Sequence, residues 1–150
     1  MIYFDNNASA PMPESVIEAM LPFMREPGNA ASVHQAGRFQ RQGIDEAKAQ
    51  IATLVGAVGA EMIFTSGGTE AANLALKGWC AAQSTLGTIY VGATEHDAVL
   101  APIAHLETLG WRVQRLPVDN QGVIQPAGLP TVVNMPALCV VMLANNETGT

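Results

Sequence analysis

The sequence predicts an α/β fold wound around a parallel sheet, and two observations carry that prediction. From Glu61 onward, short β-type apolar runs alternate with segments of helical periodicity, the pattern that sets parallel strands beneath crossover helices. Three of those runs end in polar turns, after Thr65, after Val91 and after Leu143. In wound sheets, ligands bind in the crevice beyond the carboxyl ends of the strands, so chemistry is expected at these turns.

Taken in order, Tyr3-Phe4 ends in Asp5-Asn6-Asn7, and Pro11 and Pro13 then introduce Val16, Ile17, Met20, Leu21 and Met24 at helical spacing. This is a loop feeding a first helix. The stretch from Pro27 to Ser32 breaks the period, which Ile44, Ala47, Ile51, Leu54 and Val55 restore until Gly56 stops it, predicting a second helix over 35–55. Met62-Ile63-Phe64-Thr65 then reads as a strand, 69–82 as a helix, Thr88-Ile89-Tyr90-Val91 as a strand and 98–109 as a helix. Residues 111–118 read as another strand, Asp119-Asn120-Gln121-Gly122 as a turn and Leu138 to Leu143 as a fully buried strand. Between them, 125–136 carries Pro126, Gly128, Pro130 and Pro136, which disfavour a stable helix. The expected organisation is an N-terminal loop with helices over 1–55, followed by the sheet-bearing part over 56–150, with no internal repeat or low-complexity tract.

Composition narrows the function classes. Of 150 residues, 49% are hydrophobic and only 13% charged, the latter about half the usual share. Apolar patches are therefore expected at the surface of the chain, to be covered by further parts of a domain or by a partner. The formal charge of −6, with seven scattered Lys and Arg, argues against nucleic acid and anionic membranes as partners. Neither a signal peptide nor a run of transmembrane length is legible, so a cytoplasmic location is the default expectation. Cys80 and Cys139 lack metal-ligand or CxxC spacing, so no metal site is expected and both read as buried thiols.

The turn Thr65-Ser66-Gly67-Gly68-Thr69-Glu70 leads into a helix with Ala72, Ala75, Leu76 and Trp79 on one face. A helix N-terminus offers unpaired N–H groups and partial positive charge, and glycine permits close approach of an anion, so a phosphate fits at Gly68 and Thr69. The plain alternative is a strand-to-helix turn capped by Ser66 or Thr69. Neither GxxxxGK[ST] nor GxGxxG is present, which weakens mononucleotide and dinucleotide readings. His96, in Thr94-Glu95-His96-Asp97, falls after the next strand, where it could stack on an aromatic cofactor and move protons or simply start a helix. His34 and His105 take the structural reading. Asn146, in Asn145-Asn146-Glu147-Thr148-Gly149, follows the third run, where its amide could donate to a phenolate-like oxygen or belong to an ordinary turn.

Together these motifs resemble a known family. Asp5-Asn6-Asn7-Ala8, Gly28-Asn29-Ala30-Ala31-Ser32-Val33-His34 with Gly37-Arg38, the 65–70 turn with Asn73, Glu95-His96 with Ala98-Val99, and Asn145-Asn146-Glu147 with Gly149 occur in the order and spacing of the cysteine desulfurases. Those are NifS-like and IscS-like members of the class V, fold-type I pyridoxal-phosphate enzymes. The resemblance covers nearly the whole chain. It implies the N-terminal part of the fold-type I fold, with an α/β/α large domain that is incomplete in these residues and a small domain lying beyond them.

The resemblance further implies pyridoxal 5'-phosphate as cofactor, with Gly68 and Thr69 in the phosphate cup. Asn146 matches the asparagine bonded to the ring oxygen, and His96 the histidine stacked on the ring, a candidate acid/base. The implied reaction takes L-cysteine to L-alanine and leaves a persulfide on the enzyme, for iron–sulfur clusters or another sulfur acceptor or scaffold protein. A homodimer is implied as well. The family's Schiff-base lysine, its pyridine-pairing aspartate and its persulfide cysteine match nothing here, since Lys48, Lys77, Cys80 and Cys139 all fall elsewhere in the pattern. These 150 residues alone are therefore expected to be inactive, with truncation of a longer protein the leading explanation. The alternatives are another class V enzyme, such as a selenocysteine lyase or an aminotransferase, and a non-catalytic fragment that pairs with a complementary chain.

Overall fold

The computed structural model describes residues 2–6 and 8–150; Asn7 of the first motif and Met1 lie outside the described residues. The chain divides into two compact units, Met1–Phe64 and Thr65–Thr150.

The first unit holds helices α1 (Glu14–Arg25) and α2 (Gln35–Val55). Pro13, at φ −61°, stands at the N-cap of α1, where a missing N–H costs nothing. The helices meet at Phe23 and Phe39, whose rings stack at 4.9 Å. Gly43 makes this possible, because a β-carbon there would stand 2.4 Å from Phe23 Cε1. Gln40 Nε2 donates to the Phe23 and Glu26 carbonyls, satisfying the end of α1. His34 Nδ1 accepts from the Gly37 N–H at the start of α2, and Gly56, at φ 69°, closes its C-terminus in the left-handed conformation that glycine favours.

The second unit carries the sheet: α3 (Gly68–Ala81), β1 (Thr88–Gly92), α4 (Asp97–Thr108), β2 (Arg112–Leu116) and β3 (Ala137–Val140). The three strands run parallel in the order β2-β1-β3. Ile89 and Val91 on the central strand are fully buried, and Val113, Leu138 and Val140 pack around them. Leu76 and Cys80 from α3, and Ile103 and Leu106 from α4, complete this core with Trp111. Burying an Ile or Val side chain contributes roughly 1.5–3 kcal/mol, so β1 anchors the layer. Residues of both helices join one cluster with Ile89 and Val91, and the parallel register of β1 with β3 sets their carboxyl ends side by side.

The parallel α/β expectation holds, and the second helix occupies the range read from its periodicity. Residues 125–136 contain only one turn of 3-10 helix, Pro126–Gly128. Three expectations are corrected. Met62 to Thr65 is not a strand: these residues have no ladder partner among the described residues, and β-type residues without one stay irregular. Leu138 to Leu143 is not a fully buried strand: pairing ends at Val140, and Val141 and Leu143 are exposed. In that strand Leu138 and Val140 face the helices, whereas Cys139 points to the other face and is exposed, so it is not a buried thiol; Cys80 is. The apolar surface expected from composition is present, with Phe4, Val33, Leu54 and Leu143 all more than 80% exposed.

Candidate functional site

The turn before α3 turns its own side chains inward on itself. Thr65 Oγ1 donates to the Gly67 carbonyl at 3.0 Å, and Glu70 Oε2 accepts from the Ser66 N–H at 2.7 Å and the Ser66 hydroxyl at 2.6 Å. Those bonds, the hydroxyl first and the amide second, hold the Glu70 carboxyl below its ordinary value. Ser66 is thereby occupied, and the N-cap is Gly67 with no side-chain cap bond, so neither Ser66 nor Thr69 caps the helix. The N–H groups of Gly68, Thr69 and Glu70 have no acceptor among the described residues. A β-carbon on Gly67 or Gly68 would meet nothing within 4 Å, so the approach to these donors is open. Unpaired donors at the positive end of a helix are suited to a dianion.

The second group of residues lies past the ends of β1 and β3. Glu95 is 7% exposed, and its Oε1 accepts from the Met142 N–H at 2.8 Å. In the opposite direction, Asn145 Nδ2 donates to the Thr94 carbonyl at 3.2 Å. Asn145 also organises its own loop: Oδ1 accepts from the N–H groups of Glu147 and Thr148, both at 2.9 Å, and its N–H donates to the Thr150 carbonyl.

His96 is the N-cap of α4, with Nδ1 accepting from the Ala98 N–H at 3.0 Å. An accepting Nδ1 carries no proton, so the proton of the neutral ring resides on Nε2. The helix-start and site readings of this residue are therefore compatible, because one nitrogen caps and the other remains. His96 and Asn146 line one cleft of about 360 Å³ together with Thr94, Glu95, Asp97, Asn145, Glu147 and Thr148. Two sequence-expected residues are thus brought together. Gly68 and Thr69 stand at the start of α3, which packs against α4, and do not line that cleft.

Sequence reasoning overlooked Glu95 and Asn145, which hold the loops rather than presenting a reactive group. The available signal was a carboxylate immediately after a buried strand, where an unpaired charge is costly and a specific donor has to exist. Lys77 lies about 14 Å along α3 from Gly68 by the rise of an α-helix, well away from the donors at its start. Among the described residues no cluster of His, Cys, Asp and Glu suits a metal ion, and no helix is long and apolar enough to cross a membrane.

The aminotransferase class-V family profile matches residues 2–150. A cysteine desulfurase IscS from Dictyoglomus turgidum is 44% identical over 152 aligned residues, which take in 99% of this chain and 39% of that protein. Among solved structures, a NifS-like protein superposes with a TM-score of 0.90 at 34% identity, covering 97% of this chain and 41% of the other. A structure of SspA in complex with cysteine does so with a TM-score of 0.83 at 28% identity, covering 92% and 40% respectively. The chain thus spans about two fifths of the length of these relatives. Its parallel α/β architecture is that of NifS-like proteins.

Proposed function

Because the chain belongs to the aminotransferase class-V family, we propose that it forms part of a pyridoxal 5'-phosphate-dependent cysteine desulfurase. Such an enzyme converts L-cysteine to L-alanine and retains the sulfur as a protein-bound persulfide for iron–sulfur clusters or another acceptor. The identity to a desulfurase over the whole chain supports the reaction class, and the likeness to SspA, solved with cysteine, supports the substrate. The carrying observation is that His96 and Asn146 line one cleft past the carboxyl ends of adjacent parallel strands.

The residues present fit the cofactor. Gly68 and Thr69 would hold its phosphate through unpaired N–H groups and the Thr69 hydroxyl, without a counter-cation from their own turn. Asn146 would donate its side-chain amide to the ring oxygen. His96 would lie against the ring, hold its proton at Nε2 and pass it on as a general acid while Nδ1 stays bonded to Ala98. When bound, pyridoxal phosphate supplies an electron sink for the substrate's α-carbon. Lys48, Lys77, Cys80 and Cys139 are assigned no part in this reading. Residues 56–150 are taken as the first part of the cofactor-binding domain, with 1–55 as its N-terminal loop and helices. The resemblance also carries a cytoplasmic homodimer.

The test is to express the whole gene product, load it with pyridoxal phosphate, supply L-cysteine and measure alanine and sulfane sulfur. Equal yields of both are expected. Transfer of the amino group to a keto acid without alanine, or turnover of selenocysteine alone, would assign the protein to another class-V activity. Thr69→Ala should weaken cofactor binding roughly tenfold, the effect of one hydrogen bond to a charged group; an unchanged affinity would remove Thr69 from the site.

A further inference from the structure

The bonds between the two cleft loops are reciprocal. Parallel pairing of β1 with β3 ends at Val91 and Val140, and beyond that point no ladder holds the strands' continuations together. Two side-chain bonds replace it: Glu95 reaches across to the Met142 backbone, and Asn145 reaches back to the Thr94 backbone. His96 directly follows Glu95, and Asn146 directly follows Asn145. Each cleft residue therefore takes its position from a neighbour committed to the opposite loop. Glu95 is the buried half of this clasp, and its seat is shaped for it: a β-carbon on Gly92 would stand 2.6 Å from Glu95 Oε1.

We propose that Glu95 is a positioning residue that sets His96 against Asn146, acting through the Met142 N–H and not through the cofactor itself. The inference deepens the cofactor reading above and rests on it. An acceptor at the Oε1 position is what the clasp requires. Charge is secondary, because the partner is a single neutral N–H. Glu95→Gln preserves such an acceptor and Glu95→Ala removes it, leaving the half-buried Met142 N–H without its partner.

The experiment uses the whole gene product loaded with pyridoxal phosphate and reads three quantities for E95Q, E95A and the core variant Ile103→Val: cofactor affinity, the visible circular dichroism band of the bound cofactor, and hydrogen exchange of peptides spanning 94–97 and 142–147. Ile103→Val trims the core about two turns along α4 from His96, makes no bond of the clasp, and controls for a general loss of stability. In E95A the affinity should fall roughly tenfold, matching one half-buried donor left unpaired, the band should change, and both peptides should lose protection together. E95Q should restore all three, and Ile103→Val should leave band and affinity intact. An unchanged band and affinity in E95A, or loss of protection in one peptide only, would overturn the proposal. So would a change in Ile103→Val equal to that in E95A. If E95A does not fold, the choice passes to E95Q against Ile103→Val, and an E95Q protein lacking the band would overturn it. A wild-type protein that takes up no cofactor sinks the functional reading instead, and hydrogen exchange alone then decides whether Glu95 couples the two loops.

Discussion

Gly92 and Glu95 share one space: the carboxylate at the start of the cleft loop lies where a side chain on the last residue of β1 would be, 2.6 Å from its β-carbon position. Gly92 is itself buried, and the same β-carbon would also meet Ile124 Cδ1 at 2.8 Å. The strand therefore ends in glycine for reasons of volume. Gly92→Ala should destabilise the protein by about 1–3 kcal/mol, the usual cost of overpacking a filled site. In urea unfolding, the double variant G92A/E95A should lose less than the sum of the single variants, because the second change vacates part of the space the first invades. Strict additivity would show that the two residues do not compete.

His96 joins a structural and a chemical task in one ring, and substitution can separate them. Asn is an effective N-cap, so His96→Asn should keep stability within about 0.5 kcal/mol while the visible band of bound cofactor weakens. His96→Ala should lose the cap as well, costing about 1 kcal/mol. Urea unfolding and absorbance titration on the same samples separate the two effects.

The Glu70 carboxyl is held below its ordinary value of 4.5 by Ser66. A carboxyl depressed in the folded state contributes its stabilisation fully above the unfolded value and loses it as pH falls through the lower folded value. The amide resonance of Ser66 should therefore titrate with a midpoint below 4.5, and Glu70→Gln should abolish that titration. A midpoint at or above the ordinary value would mean that the turn bonds do not form in solution.

The two cysteines should differ sharply toward a thiol reagent. Burial raises the Cys80 thiol above its ordinary value, so it stays protonated at neutral pH and inaccessible within the core, whereas Cys139 is exposed. In the 150-residue polypeptide one thiol should react quickly, Cys139→Ser should remove that phase, and Cys80 should react only with added denaturant.

Where period and punctuation coincided, the sequence was easily read: α2 runs from its histidine cap to a left-handed glycine, and both ends leave a chemical mark. That His96 and Asn146 share one edge was legible for a related reason, since a wound sheet directs its strand ends there. Burial was the illegible quantity. Met62 to Thr65 has strand composition, but strand identity depends on a partner that composition does not name. Cys139 lies in an apolar run, yet alternation along a strand sends it to the opposite face from Leu138 and Val140. Glu95 was hidden differently, because its partner is a backbone N–H 47 residues away and no residue type advertises such a bond.

The open outer side of β3 bears on handling the 150-residue polypeptide. Val141 is 48% exposed and Leu143 fully so, directly after a strand whose free edge presents unpaired backbone groups. Such an edge is a template for another chain. Concentrated solutions of the polypeptide will self-associate through this segment, and a lysine at Leu143 would interrupt the apolar run and keep the chain dispersed.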